Sequence, residues 1–454
     1  MSKRINKEIF SLALPSILAN ITVPLVGMVD IAVAGHLGAS SVAAIGGISV
    51  GTLMFDVLYW NFGFLRAGTG GLTSQAYGKG DWECCSQMLL RGVGSAFALA
   101  LAILLLQWPF QKLFFLFVNC SDEVKALAVK YFLIRVTCAP ATLSLMAFRG
   151  WFIGMQDTVS AMATDLVVNG VNVLASIVLA MGVPSLGFHG MGFPGVALGT
   201  VVAQYTGLVM ALLIVVRKYS RTIRISVDRK SLAAAFEGGA MKRFVSVNTD
   251  LFVRSVCLIA VYLGFTAVSA RFGDTLLATC SIMMKLLMIF SYFTDGFAFA
   301  GEAMTGKYIG MKDIAMVRST VRWTFGWSMG IGLLFVGIYS FTGMPLFRLM
   351  TDEASVIASA SAFIPWLVLI PLVGCPAFTW DGIYTGATAT REMRDSNIGC
   401  VIVFFGTWFL GAAVLRPEGN AQVHLLFVAY YAHLVWRSVY QTVKYRPAVL
   451  RRLS

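Results

Sequence analysis

Apolar segments about 20 residues long, the length a helix needs to cross the hydrocarbon of a bilayer, recur along this chain. They lie near residues 9–35, 42–65, 88–108, 131–153, 161–183, 194–216, 246–270, 276–300, 320–341, 362–386, 397–415 and 423–441. Lipid offers the backbone no hydrogen bonds, so each segment has to close its own N–H and C=O groups as a helix. The pattern predicts an all-α polytopic membrane protein of about twelve transmembrane helices. Composition agrees: 58% of the 454 residues are hydrophobic and 13% charged, where a soluble domain carries roughly 25% charged residues.

The net charge of +13 is distributed by loop. Lys3, Arg4 and Lys7 precede helix 1, Lys79 and Arg91 lie near the 2–3 connection, and eight basic residues between Arg217 and Arg243 crowd the 6–7 connection. Lys307, Lys312, Arg318 and Arg322 follow helix 8, Arg391 and Arg394 follow helix 10, and Lys444, Arg446, Arg451 and Arg452 end the chain. The intervening connections are nearly bare of Lys and Arg or offset them with acids. The positive-inside rule then places both termini in the cytoplasm, which requires an even number of spans. Basic residues placed this way argue against a nucleic-acid partner. The eight cysteines form no metal or redox spacing and read as small packing residues, and the first apolar segment is too long for a cleavable signal peptide.

The longest basic connection divides six helices from six. It implies a first lobe over 1–218, a cytoplasmic connection over 219–243 and a second lobe over 244–454. The halves match at an offset of about 232 residues: Gly150-Trp-Phe-Ile-Gly154 corresponds to Gly382-Ile-Tyr-Thr-Gly386, and Thr73 to Asp81 corresponds to Thr305 to Asp313. Six is even, so the repeats run parallel, an arrangement used by transporters with a substrate path between the halves. The glycine pairs read equally as small-residue helix packing.

Within helix 1, Asp30 is a lone carboxylate in an apolar run. A charge at bilayer depth costs roughly 2.5–3.5 kcal/mol on insertion scales, so Asp30 is a functional candidate facing a polar interior. Pro24, six residues earlier, removes an N–H and offers a hinge. Helix 5 places Asp165, Asn169, Asn172 and Ser176 on one face, and at 1.5 Å per residue Ser176 and helix-6 Thr200 share the level of Asp30. A carboxylate ringed by amides and hydroxyls can release a proton or hold a small cation. Asp30, Asn169, Asn172, Ser176 and Thr200 are therefore the candidate coupling residues. The alternative for the neutral ones is interhelical bonding in lipid.

Asp56 and Asn61 on helix 2 and Arg149 on helix 4 are candidate cavity residues; an Asp56–Arg149 pair and an Arg149 that snorkels to the interface are both open. In the second half, Asn248, Asp250 and Arg254 on helix 7, Lys285, Asp295 and Glu302 on helix 8, and Asp381 on helix 10 form a mixed-charge set. Asp250 and Arg254 stand at i, i+4 and can pair along their helix. Lys285, without a carboxylate at i±3 or i±4, is expected to face a wet cavity. The set reads either as substrate cavity or as a salt-bridge network holding the lobe together.

These residues together resemble the MATE (multidrug and toxic compound extrusion) transporters, most of all their DinF-like branch. The matching stretches are Leu12-Ala-Leu-Pro15, Asn20-Ile-Thr-Val-Pro24, Val29-Asp30 with Gly35-His36-Leu37, Gly71-Leu-Thr-Ser-Gln75-Ala-Tyr-Gly78, Gly195-Val-Ala-Leu-Gly-Thr200, Asn248-Thr-Asp250 with Arg254-Ser255, Asp295-Gly-Phe-Ala298 with Glu302-Ala303, and Asp381-Gly382 with Gly386-Ala-Thr388. The resemblance implies a V-shaped pair of six-helix lobes and an exporter of cationic or amphipathic small molecules, driven by inward protons or sodium. It implies a multi-pass protein of the bacterial inner membrane, monomeric, with no cofactor beyond the driving ion. The coupling aspartate is matched by Asp30 and the helix-5 asparagine by Asn172. Where the family commonly carries a second carboxylate, this chain has Ser176, which favours H+ over Na+. Alternatives are sodium-coupled efflux, or a lipid-linked or anionic-lipid flippase of the same superfamily. An enzyme is disfavoured: His36, His189, His424 and His433 lack metal-ligand spacing, and no nucleotide-binding loop is present.

Overall fold

The computed structural model describes residues 2–36, 41–220 and 235–450. Among them are twelve long helices, one for each apolar segment: α1 (Lys3–Gly35), α2 (Ala43–Lys79), α3 (Trp82–Phe117), α4 (Asp122–Gly154), α5 (Thr158–Met181), α6 (Phe193–Tyr219), α7 (Gly238–Phe272), α8 (Asp274–Gly310), α9 (Ile314–Met350), α10 (Ala354–Gly386), α11 (Thr390–Leu415) and α12 (Asn420–Tyr445). The first eleven are long and apolar enough to cross a membrane. The twelfth is less apolar because Gln422, His424, His433, Arg437 and Gln441 interrupt it.

Most helices outrun their apolar segments. In α2 the extra turns are not hydrophobic, because protein rather than lipid covers them. The end of α2, Gly68 to Ala76, is rich in Gly, Thr and Ser and is buried throughout. Short 3-10 turns interrupt α2 at Trp60–Gly63 and α4 at Val136–Cys138. All eight cysteines are free thiols, five of them buried.

Packing divides the chain into two compact units, Leu18–Phe244 and Met1–Ile17 with Val245–Ser454. The charge pattern assigns residues 1–17 to the first lobe, whereas they pack within the second unit. Side chains explain the difference: Phe10 lies edge-on against Phe297 and Trp327, Trp327 Nε1 donates to Asn6 Oδ1 at 3.0 Å, and Glu8 pairs with Lys307. Most of the expected connection, 221–234, lies outside the described residues.

The two units are built alike. In the first, α2 packs on α4 and α5 on α6; in the second, α8 packs on α10 and α11 on α12. The paired glycines make the closest approaches. A Cβ on Gly150 would lie 2.1 Å from the Arg66 carbonyl oxygen, and one on Gly382 2.0 Å from that of Ala298. Gly154 lies against Gly70 and Ser74 in the same way that Gly386 lies against Glu302 and Gly306. Every pair keeps the offset of about 232, so backbone contact through small residues is the conserved join of both units. The helix caps repeat too: Asp81 accepts from Cys84 N–H at 2.9 Å, and Asp313 from Met316 N–H at 2.9 Å.

Asp157 caps α5 and also fastens the end of α6. It accepts from Ser160 N–H at 3.2 Å, from Lys218 Nζ at 2.7 Å and from the Tyr219 hydroxyl at 2.6 Å. Burial works to raise its pKa, but these donors outweigh burial and hold it below its ordinary 3.8. A depressed folded-state pKa contributes stability above the unfolded value that is lost as pH falls through the folded one. Asp157→Ala is therefore expected to lower thermal stability by about 1–2 kcal/mol at neutral pH, with the gap to wild type closing below about pH 4. Melting curves of both proteins from pH 7 to pH 3 check this.

Candidate functional site

The site is in the Leu18–Phe244 unit. Once Asp157 has started α5, the helix presents Asp165, Asn169, Asn172 and Ser176 along one face toward α1, α4 and α6. Ser176 Oγ donates to Asp30 Oδ1 at 3.1 Å, and Asn172 Nδ2 donates to Thr200 Oγ1 at 3.0 Å. The Ser176 hydroxyl also has the Asn172 side-chain oxygen and the Val196 carbonyl within 3.4 Å. Asp30 is 5% exposed, Asn172 3%, Ser176 0% and Thr200 2%. These four residues, spaced across three helices in the sequence, thus form one buried network. Asn169 stands apart from it, donating to Thr22 Oγ1 at 2.6 Å. The α1 helix continues through Pro24.

A cavity of about 660 Å³ adjoins this network, lined by Asp30, Asn169, Asn172 and Thr200 together with Asp56, Asp165, Arg135 and Arg149. Arg149 neither snorkels nor pairs with Asp56. Its Nε lies 3.3 Å from Asp165 Oδ2 and its Nη2 donates to Asn20 Oδ1 at 2.6 Å. The cation facing Asp56 is Arg135, whose charge acts on both Asp56 and Asp30. Arg135 donates to the Tyr131 hydroxyl at 2.9 Å and lies 4.8 Å above the Phe55 ring centroid. Sequence reasoning passes over Arg135 because the apolar segment starts beside it, where an arginine reads as a terminal anchor. The helix in fact begins at Asp122, putting Arg135 about 20 Å along it. Asn61 does not line the cavity; its amide donates to the Val57 carbonyl at 2.7 Å, beside the 3-10 turn of α2.

In the second unit the expected Asp250–Arg254 pair does not form. Asp250 accepts from Arg394 Nη1 at 2.7 Å and from Thr390 Oγ1 at 3.0 Å, both on α11. Arg254 instead meets Asp381 on α10, and Arg437 on α12 reaches the same carboxylate oxygen. The pairing is interhelical because the rotation of each helix about its axis brings Asp250 to α11 and Arg254 to α10. Arg437, 2% exposed, is a second residue that sequence reasoning misses. Its signal is an arginine inside the last apolar segment. Asn248 and Glu302 are buried and Asp295 half-buried. Lys285 is exposed.

The MatE family model matches the chain twice, over residues 15–178 and 251–414. The chain belongs to the MatE family. The two matches fall one in each half of the repeat. DNA damage-inducible protein F of Escherichia coli (strain K12) is 34% identical over 391 residues, 86% of this chain and 83% of that protein. A probable multidrug resistance protein NorM of Photorhabdus laumondii subsp. laumondii is 24% identical over 89% of this chain and 86% of its own length. Among solved structures, MATE in the bent conformation superposes with a TM-score of 0.82 at 15% identity, covering 98% and 95% of the two chains. The Vibrio cholerae MATE transporter VcmN in the bent form gives 0.80 at 17% identity, covering 99% and 98%. This MatE member is a multi-pass membrane transporter of the DinF-like branch, not an enzyme.

Proposed function

We propose that the protein is a secondary active antiporter that exports cationic or amphipathic small molecules in exchange for protons bound at Asp30. The observation that carries this reading is the single buried carboxylate of the Asp30–Ser176–Asn172–Thr200 network. A hydroxyl stands where a second carboxylate would be needed to hold sodium tightly, since hard cations are held by charged oxygen ligands. Among the described residues the adjoining cavity is lined by three carboxylates, Asp30, Asp56 and Asp165, against two guanidinium groups, Arg135 and Arg149, which leaves it one net negative charge.

With Asp30 ionised, the cavity accommodates a cation and Ser176 donates to the carboxylate. A proton arriving at Asp30 removes the attraction for the cation. The Ser176 hydroxyl can then turn to the Asn172 oxygen or the Val196 carbonyl, each within 3.4 Å, so the protonation state is passed to α5 and α6. Repacking of α1 near Pro24 is the step that releases the substrate. The name of the Photorhabdus relative, probable multidrug resistance protein NorM, fits an exporter of this kind. The reading includes a bacterial inner-membrane location, cytoplasmic termini and a monomer.

Purified protein in proteoliposomes, assayed with a lipophilic organic cation, tests the coupling. Export driven by a pH gradient, with none driven by a sodium gradient at constant pH, is the expected result. Transport that follows sodium alone refutes proton coupling, and movement of an anionic lipid reporter in place of the cation favours a flippase.

A further inference from the structure

A second cavity of the Leu18–Phe244 unit, about 240 Å³, lies where the end of α2, the start of α3 and the start of α7 meet. One cation from each helix lines it: Lys79, Arg91 and Arg243. Among the described residues its one lining carboxylate, Asp81, is engaged in capping α3. Arg91 is 2% exposed and is held by the Ala235 carbonyl and by Gln87 Oε1 at 3.0 Å. A guanidinium fixed at that depth is part of a built pocket rather than a surface charge in solvent. Arg243 is held only by a 3.5 Å contact to Gln75 Oε1, so its guanidinium can turn into the cavity.

The other half of the repeat shows how such a place is filled. There the first turns of α1 take the position that α7 takes here, and Glu8 meets Lys307 at 3.4 Å and accepts from the Tyr308 hydroxyl at 2.8 Å. Lys307 and Gln75 are equivalent at the offset of about 232. Carried across by that offset, Glu8 falls on Ala240; carried by the spacing of the two family-model matches, it falls on Phe244. Both line the pocket and neither is acidic. The second unit brings its own carboxylate to this position, whereas among the described residues the first brings none from α7.

We propose that this pocket binds a phosphate group, the headgroup phosphate of an anionic phospholipid in the adjoining leaflet. Guanidinium forks and an ammonium are the side chains that bind tetrahedral oxyanions. Basic pockets between membrane helices at their cytoplasmic ends recognise such headgroups, and Gly239 and Ala240 in the first turn of α7 line the same space without bulky side chains. The bound phosphate ties α7 to α2 and α3, as Glu8 ties α1 to α8.

The test is thermal unfolding of the full-length protein in neutral detergent, titrated with phosphatidylglycerol, phosphatidylcholine or glycerol 1-phosphate. Phosphatidylglycerol is expected to raise the melting temperature by several degrees over phosphatidylcholine. Lys79→Gln/Arg243→Gln, at two exposed side chains, should weaken the apparent affinity roughly tenfold, the loss of one to two charge-assisted bonds. Arg318→Gln/Arg322→Gln, an exposed basic pair of the other unit, should leave it unchanged. If the double variant does not fold, Lys79→Gln alone reads the same loss at smaller amplitude. Stabilisation by glycerol 1-phosphate that the pocket variant loses supports the phosphate site with a soluble source. Equal shifts with the two lipids and none with glycerol 1-phosphate, or equal loss from the pocket pair and the remote pair, overturn the proposal.

Discussion

Asp30→Asn is expected to abolish pH-driven export while leaving the protein folded. The amide keeps the size of the carboxyl group, and its oxygen can still accept from Ser176, so the buried network that the wild type makes at 3.1 Å survives. What disappears is the ability to exchange a proton. With no group at this position able to load and release a proton, gradient-driven transport should fall to the rate seen without a pH gradient. The measurement pairs transport in proteoliposomes with melting of the same preparation. Wild-type transport by Asp30→Asn under a pH gradient rules out Asp30 as the coupling group, and gross unfolding assigns it to structure instead. Binding of the organic cation, followed separately by fluorescence, should weaken, because the cavity, lined by three carboxylates and two arginines, loses its net negative charge.

The second large effect belongs to the other unit. Asp381→Asn is expected to destabilise the protein by about 3–5 kcal/mol, because breaking a buried pair strands the partner's charge. Two guanidinium groups converge on Asp381, and one of them, Arg437, is 2% exposed. Its pKa is too high for it to escape by losing a proton. Asp381→Leu combined with Arg254→Met and Arg437→Met should recover most of the loss, since an apolar group of similar shape replaces a buried ion set at little cost. Thermal unfolding of the single and triple variants decides. A triple variant no more stable than the single one means that the trio contributes more than charge balance. If the triple variant is stable but inactive, the cluster handles substrate, which is the role the charged residues of this half were also open to.

The location of each feature explains how much of it could be read beforehand. The apolar run beginning near residue 42 marked α2 but stopped at 65, fourteen residues short of Lys79, because hydropathy reports contact with lipid and the Gly-Thr-Ser turns of α2 are covered by protein. The glycine pairs were legible as a repeat, and their backbone contacts keep the same offset in both units. Asp30, Asn172, Ser176 and Thr200 could be grouped in advance because helical spacing puts the α5 residues on one face and depth along each helix follows from residue count. Arg135 was hidden by a segment boundary that lay nine residues inside the true start of its helix at Asp122.

The sequence by itself determined that this is a twelve-helix membrane protein with an internal repeat, and that Asp30, Asn172, Ser176 and Thr200 are polar residues of similar depth within apolar segments. These are properties of single residues and of periodicity along one helix, and each is paid or not paid against lipid locally. Only the tertiary structure decided the partners: Arg149 with Asp165 rather than Asp56, Asp250 with Arg394 rather than Arg254, and Asp381 between two arginines. It also decided that residues 1–17 complete the second unit. The physical reason is that ion pairs form across helices, where rotation of each helix about its axis and the shape of its neighbours choose among several charges of similar depth. Spacing within one helix carries no information about that choice.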